Sequence, residues 1–299
     1  MIGGVVTTLR GRGSSWIRTA LVGDEGLQSG ELASASDPGL YGPKSVVWRV
    51  HSDSAMLIGG LRSLLLQTLH PLAMAGVADH SDYRDDPWGR LNRTSRFVGA
   101  TTYGSTETAE HAITVVRRVH ERVVGTAPDG RRYEANDPHL LLWVHVTEVD
   151  SFLAAFNRYG TGKLRDAEQD QYVAEMAEVA RRLGSEAPPE TVAELQQCLD
   201  DFRQECEAGP QAREAIRFLL APPVSIWVRG SYGLLTAAAV TLLPGWARRE
   251  LGLPLPPIVD PLAVRPAARF LTKGLGWLMA ASPRQAQLDD RLVQDGEPT

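Results

Sequence analysis

Six of the seven histidines of this chain fall between His70 and His145, interleaved with arginines. The run reads Leu69-His70-Pro71, Asp79-His80-Ser81, Arg90-Leu91-Asn92-Arg93-Thr94, Arg117-Arg118-Val119-His120 and Trp143-Val144-His145. A buried imidazole without a partner costs about 1–3 kcal/mol, so histidines set among apolar residues need partners, and a metal or a cofactor is one candidate. His120 lies near the C-terminal end of an apolar helix face, with Arg117 one turn before it. Neutral imidazole is a strong ligand for haem iron and for zinc, and a guanidinium matches the carboxylate fork of a haem propionate. The alternative for His120 is a core histidine bonded to a backbone carbonyl.

Arg90, Arg93, Thr94 and Phe97 occupy i, i+3, i+4 and i+7, one face of a helix. Two cations and a hydroxyl presented together suit an anion or a bound oxygen; ion pairing of a solvated face to Asp85 or Asp86 is the alternative. His145 and Glu148, one turn apart, read as a metal-ligand pair or an acid–base pair. With His120 they would make a two-histidine, one-carboxylate non-haem iron site. A ferritin-like di-iron centre needs Glu-x-x-His motifs, and none occurs; His-Glu-x-x-His is also absent. There is no nucleophile elbow, no P-loop and no dinucleotide fingerprint. His70, before a proline, and His80, in a polar turn, read as structural.

The elements that must hold these residues are helices. Leu57–His70 is apolar on most sides and stops at Pro71. Asp86-Pro87 and Asp137-Pro138 each pair an N-cap with proline at the first helical position. They open helices carrying Arg90–Phe97 and, to about Tyr159, His145 and Glu148. A helix over 106–124, with Gly125 as its stop, carries His120. Further helices are expected over 166–183, 190–207, 210–220 and 261–280. Sustained period-2 alternation is missing, so the expected class is all-α, a single multi-helix domain enclosing a cofactor pocket. The charge-free segment 234–243 is too short to span a bilayer; it reads as a buried core helix, with peripheral membrane contact as the alternative.

Composition adds limits. With 43% hydrophobic and 22% charged residues the chain is an ordinary globular protein. A net charge of −5 with dispersed arginines argues against a nucleic-acid partner. Cys198 and Cys206 are eight residues apart, about 12 Å along a helix, too far for a disulfide, so a cytoplasmic setting is the expectation. Residues 1–38 read as an arm, 39–282 as the helical domain and 283–299 as a polar tail.

In their order, these motifs resemble the MpaB-type and rubber-oxygenase catalytic domain family. The string Leu66-Gln67-Thr68-Leu69-His70-Pro71, then Gly76 to Ser81, opens the likeness. Arg90–Thr94, Arg117–Gly125 and Asn136-Asp137-Pro138 with Trp143-Val144-His145 continue it, and Leu242-Leu243-Pro244 with Arg248 and Leu251-Gly252-Leu253 closes it. The resemblance covers about residues 40 to 280. It implies an all-helical oxygenase that binds haem b and acts with dioxygen on a hydrophobic, unsaturated, terpenoid or lipid-like substrate. It further implies that His120 is the iron ligand, that Arg90 and Arg117 help bind the cofactor, and that Arg93, Thr94 and His145 face the reacting oxygen. Where family members carry lysine in an Arg-x-x-Lys-Thr pattern this chain has Arg93, a poor metal ligand because it stays protonated. A non-catalytic haem or lipid carrier is the remaining rival.

Overall fold

A computed structural model describes residues 31–34, 36–82, 84, 86–222, 226–253 and 260–279. The arm up to residue 30, the linker beyond Leu253, the tail from residue 283, and Asp85 lie outside the described residues. Twelve α-helices dominate these regions. They are α1 (Val46–His51), α2 (Met56–Gln67), α3 (Pro71–His80), α4 (Pro87–Tyr103), α5 (Thr106–His120), α6 (Pro138–Tyr159), α7 (Asp166–Leu183), α8 (Val192–Phe202), α9 (Pro210–Leu220), α10 (Ile226–Leu242), α11 (Gly245–Glu250) and α12 (Arg265–Met279). Two three-residue strands, β1 (Val124–Thr126) and β2 (Arg132–Glu134), form one antiparallel hairpin between α5 and α6. The all-α expectation holds.

α6 is the central element. It is buried along nearly its whole length, through Trp143, Val146, Val149, Phe152 and Phe156. Its most extensive partner is α2, which contributes Ile58, Leu65 and Leu66, and α7 adds Tyr172, Val173 and Met176 to the same core. The two long helices approach closely at Gly59, where a Cβ would lie 2.8 Å from Phe152 Cδ1 and 3.2 Å from the Ser151 carbonyl oxygen. One buried polar network ties the centre together. Arg62 of α2 is ion-paired to Asp150 of α6 at 2.6 Å; it also donates to Ser151 Oγ at 2.7 Å and to the Leu242 carbonyl of α10 at 3.0 Å. Asp150 accepts in addition from Gln196 of α8 at 2.7 Å.

The helix starts follow the cap signals. Asp86 accepts from the Gly89 amide and Asp137 from the His139 amide, each at 2.8 Å, and each is followed by proline. The ends differ from expectation at several places; the helix expected over 190–207 is α8, ending at Phe202 before a 3₁₀ turn over Arg203–Glu205. The first helix stops at Gln67, and His70 caps the next one instead, its Nδ1 facing the Ala73 amide at 3.5 Å. The helix over 106–124 stops at His120, because Val124–Thr126 turns into a strand paired with Arg132–Glu134. Gly125, expected as a helix stop, sits inside that strand under Tyr133, whose hydroxyl a Cβ would meet at 2.4 Å. Tyr133 in turn donates to Asp79 at 2.6 Å, fastening the hairpin to α3.

Within the segment 234–243, Leu235, Thr236, Ala238, Ala239, Val240 and Leu243 are buried. Among the described residues no helix is long and apolar enough to cross a membrane. Leu32 and Ala33, placed in the N-terminal arm by sequence, pack against Trp48 and Tyr103. Cys198 and Cys206 are free thiols.

Candidate functional site

The site is built on the α4–α5 hairpin. Gly104 and Ser105 form its turn, and Ser105 Oγ accepts from the Thr108 amide at 3.2 Å to start α5. The two helices pack together on either side of this turn. Arg90, Arg93 and Thr94 lie in the N-terminal half of α4, and Arg117 and His120 in the last turn of α5. The first turn of α4 is the positive end of its helix dipole, and the last turn of α5 the negative end of its own.

His120 closes α5 and is half-buried. Its Nδ1 is buried without a hydrogen-bond partner, and among the described residues its Nε2 makes no hydrogen bond. Burial lowers its pKa, with the Asn136 side chain acting in the opposite direction, so the ring is neutral near pH 7. Asn136 donates through Nδ2 to the Arg117 carbonyl at 3.2 Å. Its Oδ1 is buried and unpaired, as is His120 Nδ1, and the Asn136 side chain stands near enough to raise the His120 pKa, which makes Oδ1 the acceptor with which Nδ1 would bond. Such a bond places the ring proton on Nδ1 and the lone pair on Nε2, the tautomer that ligates a metal through Nε2. Arg117 is exposed and makes no ion pair with a described residue. Val119, 53% exposed, and Val124, 48% exposed, are exposed apolar residues close in sequence to His120.

On α4, Arg93 is exposed and stands 3.8 Å from Asp86. Thr94 donates to the Arg90 carbonyl at 3.2 Å, and Arg90 is half-buried. The Asn92 Oδ1, between them, is buried without a partner. Arg93 thus pairs with Asp86 on a solvated stretch of α4, the alternative that the spacing also allowed.

His145 and Glu148 lie deeper, on α6. His145 is 7% exposed and its Nε2 is buried and unpaired. Burial and then the Arg181 charge push its pKa down to about 4. Burial pushes Glu148 up to about 7, and its field raises the pKa of Tyr41 and of Tyr172. Their surroundings are thus α7 and the chain leading into α1. Among the described residues, His120, His145 and Glu148 do not bring their ligand atoms within 4.8 Å of one another, so the three-ligand iron site weighed from sequence is not assembled.

The group that does converge is His70, His139 and Glu205. Sequence reasoning passed over His139 and Glu205, which lie 66 residues apart, and no local spacing signals their meeting. His70 caps the start of α3 rather than the end of the helix before it, and His80 Nε2 bonds the Val124 carbonyl at 3.1 Å. Asn136 stood in the quoted motif without a role. Its position against His120 arises from the strand hairpin that sequence reading missed.

The fold is an all-helical domain, and in it His120 is a half-buried histidine whose pKa burial lowers. The family model described as "ER-bound oxygenase mpaB/B'/Rubber oxygenase, catalytic domain" matches residues 48–273. The chain belongs to this oxygenase family. Comparison with curated proteins and with solved structures finds no match.

Proposed function

We propose that the protein is a haem b-dependent oxygenase acting with dioxygen on a hydrophobic, unsaturated small molecule of terpenoid or lipid-like type. The observation that carries this reading is the state of His120 on an oxygenase-family chain. Its ring is neutral, its Nδ1 lies beside the unpaired Asn136 oxygen, and its Nε2 has no partner. The residues present fit a haem: an imidazole with a nitrogen free among the described residues, Arg117, without an ion pair among them, one turn away for a propionate, and the exposed apolar Val119 and Val124 close in sequence.

When bound, the haem supplies the binding and activation of dioxygen. The protein's own residues do the rest. Arg90 and Arg93 hold positive charge on α4, and Thr94, whose hydroxyl donates to the Arg90 carbonyl, belongs to the same stretch of helix. Negative charge developing on an oxygen within their reach is stabilised by such preorganised donors. Arg93 serves as a donor rather than a ligand, since its guanidinium stays protonated. His145, neutral and unpartnered, lines the deeper side of the same domain and accepts or donates a single hydrogen bond without carrying charge.

Absorbance spectroscopy after reconstitution with haemin tests the reading. A Soret band that His120→Ala abolishes or shifts is expected. No band in the wild type, or a band unchanged in His120→Ala, overturns it. A Soret band without oxygen consumption across terpenoid and fatty substrates would make the protein a haem carrier instead.

A further inference from the structure

We propose that His70, His139 and Glu205 form a binding site for a borderline divalent cation such as Zn²⁺, built from elements other than the α4–α5 hairpin. Their ligand atoms all lie within 4.8 Å of one another. His139 Nε2 stands 2.9 and 3.0 Å from the two Glu205 oxygens, and His70 Nε2 stands 3.4 Å from Oε2. Bonds from zinc to imidazole nitrogen and carboxylate oxygen are about 2.0–2.2 Å, so ligands around one ion sit closer to each other than 4.8 Å. The approach needed falls on the half-exposed pair His139 and Glu205, while His70 is fully buried and fixed.

The three residues come from three element ends that the fold already holds together. His70 caps α3, with its ring centroid 6.0 Å from that of Trp143 and 6.2 Å from that of Phe202. His139 stands in the first turn of α6 and packs on Phe202 at 4.5 Å between centroids. Glu205 ends the 3₁₀ turn after α8, and that segment is tied back by the Glu207 amide donating to the Leu69 carbonyl at 2.8 Å. Two imidazoles and one carboxylate select zinc, cobalt or nickel over calcium or magnesium, which favour all-oxygen sites. Three protein ligands at a half-exposed position leave the remaining coordination to water.

Two features work against the ion, and neither prevents it. His70 Nδ1 faces the Ala73 amide, so ligation through Nε2 moves the single proton of the neutral ring from Nε2 to Nδ1. That turns one long hydrogen bond of 3.5 Å into two facing N–H groups and exchanges the Nε2 bond to Glu205 for the metal bond, with no change of net charge on the ring. Arg131 places its field on both His70 and Glu205, but its guanidinium is paired to Asp129 at 2.7 Å. An ion here clasps the starts of α3 and α6 to the end of α8, and it binds only the folded chain.

Titration of the full chain with Zn²⁺ alone, followed by calorimetry, is the test. One saturable equivalent is expected. His139→Ala and Glu205→Gln should each weaken it at least tenfold, whereas His120→Ala leaves it unchanged. Zn²⁺ should also raise the melting temperature of the wild type and not of His139→Ala. Because His139 and Glu205 are half-exposed, these variants keep the fold, which far-UV circular dichroism checks; His139→Gln substitutes if His139→Ala does not. No one-equivalent binding in the wild type, wild-type affinity in both His139→Ala and Glu205→Gln, or loss of binding in His120→Ala overturns the proposal.

Discussion

Asn136 Nδ2 donates to the Arg117 carbonyl at 3.2 Å, which sets the loop before α6 against the last turn of α5 and leaves the Asn136 oxygen beside His120. The partner of a ligating histidine's second nitrogen typically accounts for about 10–100-fold in metal affinity. Asn136→Ala is therefore expected to weaken haemin binding at least tenfold, measured by Soret titration, with little change in stability. Asn136→Asp, which keeps the acceptor, should bind more tightly than Asn136→Ala. Equal affinities in all three proteins would remove Asn136 from this role.

Glu148 gives the clearest pH prediction. Its folded pKa is raised from 4.5 to about 7 by burial. The folded state therefore holds a proton that the unfolded state has lost, and stability from this group is full below about 4.5 and falls as pH rises through 7. The shift corresponds to a cost on the order of 3 kcal/mol at pH 8. His145, lowered from 6.5 to about 4, acts in the opposite direction: its contribution is present above 6.5 and lost as pH falls toward 4. Glu148→Gln should raise stability at pH 8 and leave it near wild type at pH 4.5, as read from urea midpoints at the two pH values. A difference independent of pH would contradict the buried, raised carboxyl.

How much of this was legible beforehand varied with the range of the interaction. Asp86-Pro87 and Asp137-Pro138 announce their helices because a cap is a local event within one turn. The apolar run of α10 likewise announces its burial. The end of α5 was misplaced because Val123-Val124-Gly125 continues an apolar helix face in sequence. Only pairing with Arg132–Glu134, across a turn with Gly130 at φ +87°, makes it a strand. His120 was visible from its helix face, whereas Asn136 gained a partner only through that hairpin. The meeting of His70 with Glu205 spans 135 residues, and no periodicity encodes such a distance.

Arg62 and Asp150 form an ion pair at the centre of the fold, with an Arg62 side chain only 4% exposed. Removing one member of a buried pair leaves an uncompensated charge and costs about 3–5 kcal/mol. Arg62→Met should lose about that much in urea unfolding, because Asp150 keeps only Gln196 as a partner. The double variant Arg62→Met/Asp150→Leu should recover much of the loss, since it removes the stranded charge as well. Additive losses would mean that the two residues act independently.

Gly59 and Gly60, adjacent on α2, should respond oppositely to alanine. A Cβ on Gly59 meets Phe152 Cδ1 at 2.8 Å and the backbone of α6 at 3.2 Å, whereas a Cβ on Gly60 meets nothing within 4 Å. Alanine in a helix interior gains about 1 kcal/mol over glycine, partly by restricting the unfolded chain, and both substitutions receive that term. At Gly60 nothing opposes it, so Gly60→Ala should stabilise by up to ~1 kcal/mol. At Gly59 the added methyl must push Phe152 out of the α2–α6 contact or part the two helices, and overpacking of this kind costs about 1–3 kcal/mol. Gly59→Ala should therefore be neutral to destabilising by ~2 kcal/mol. Thermal melts of the two single variants decide the matter, and an equal gain at both positions would show that α2 and α6 are not packed as closely as Gly59 requires.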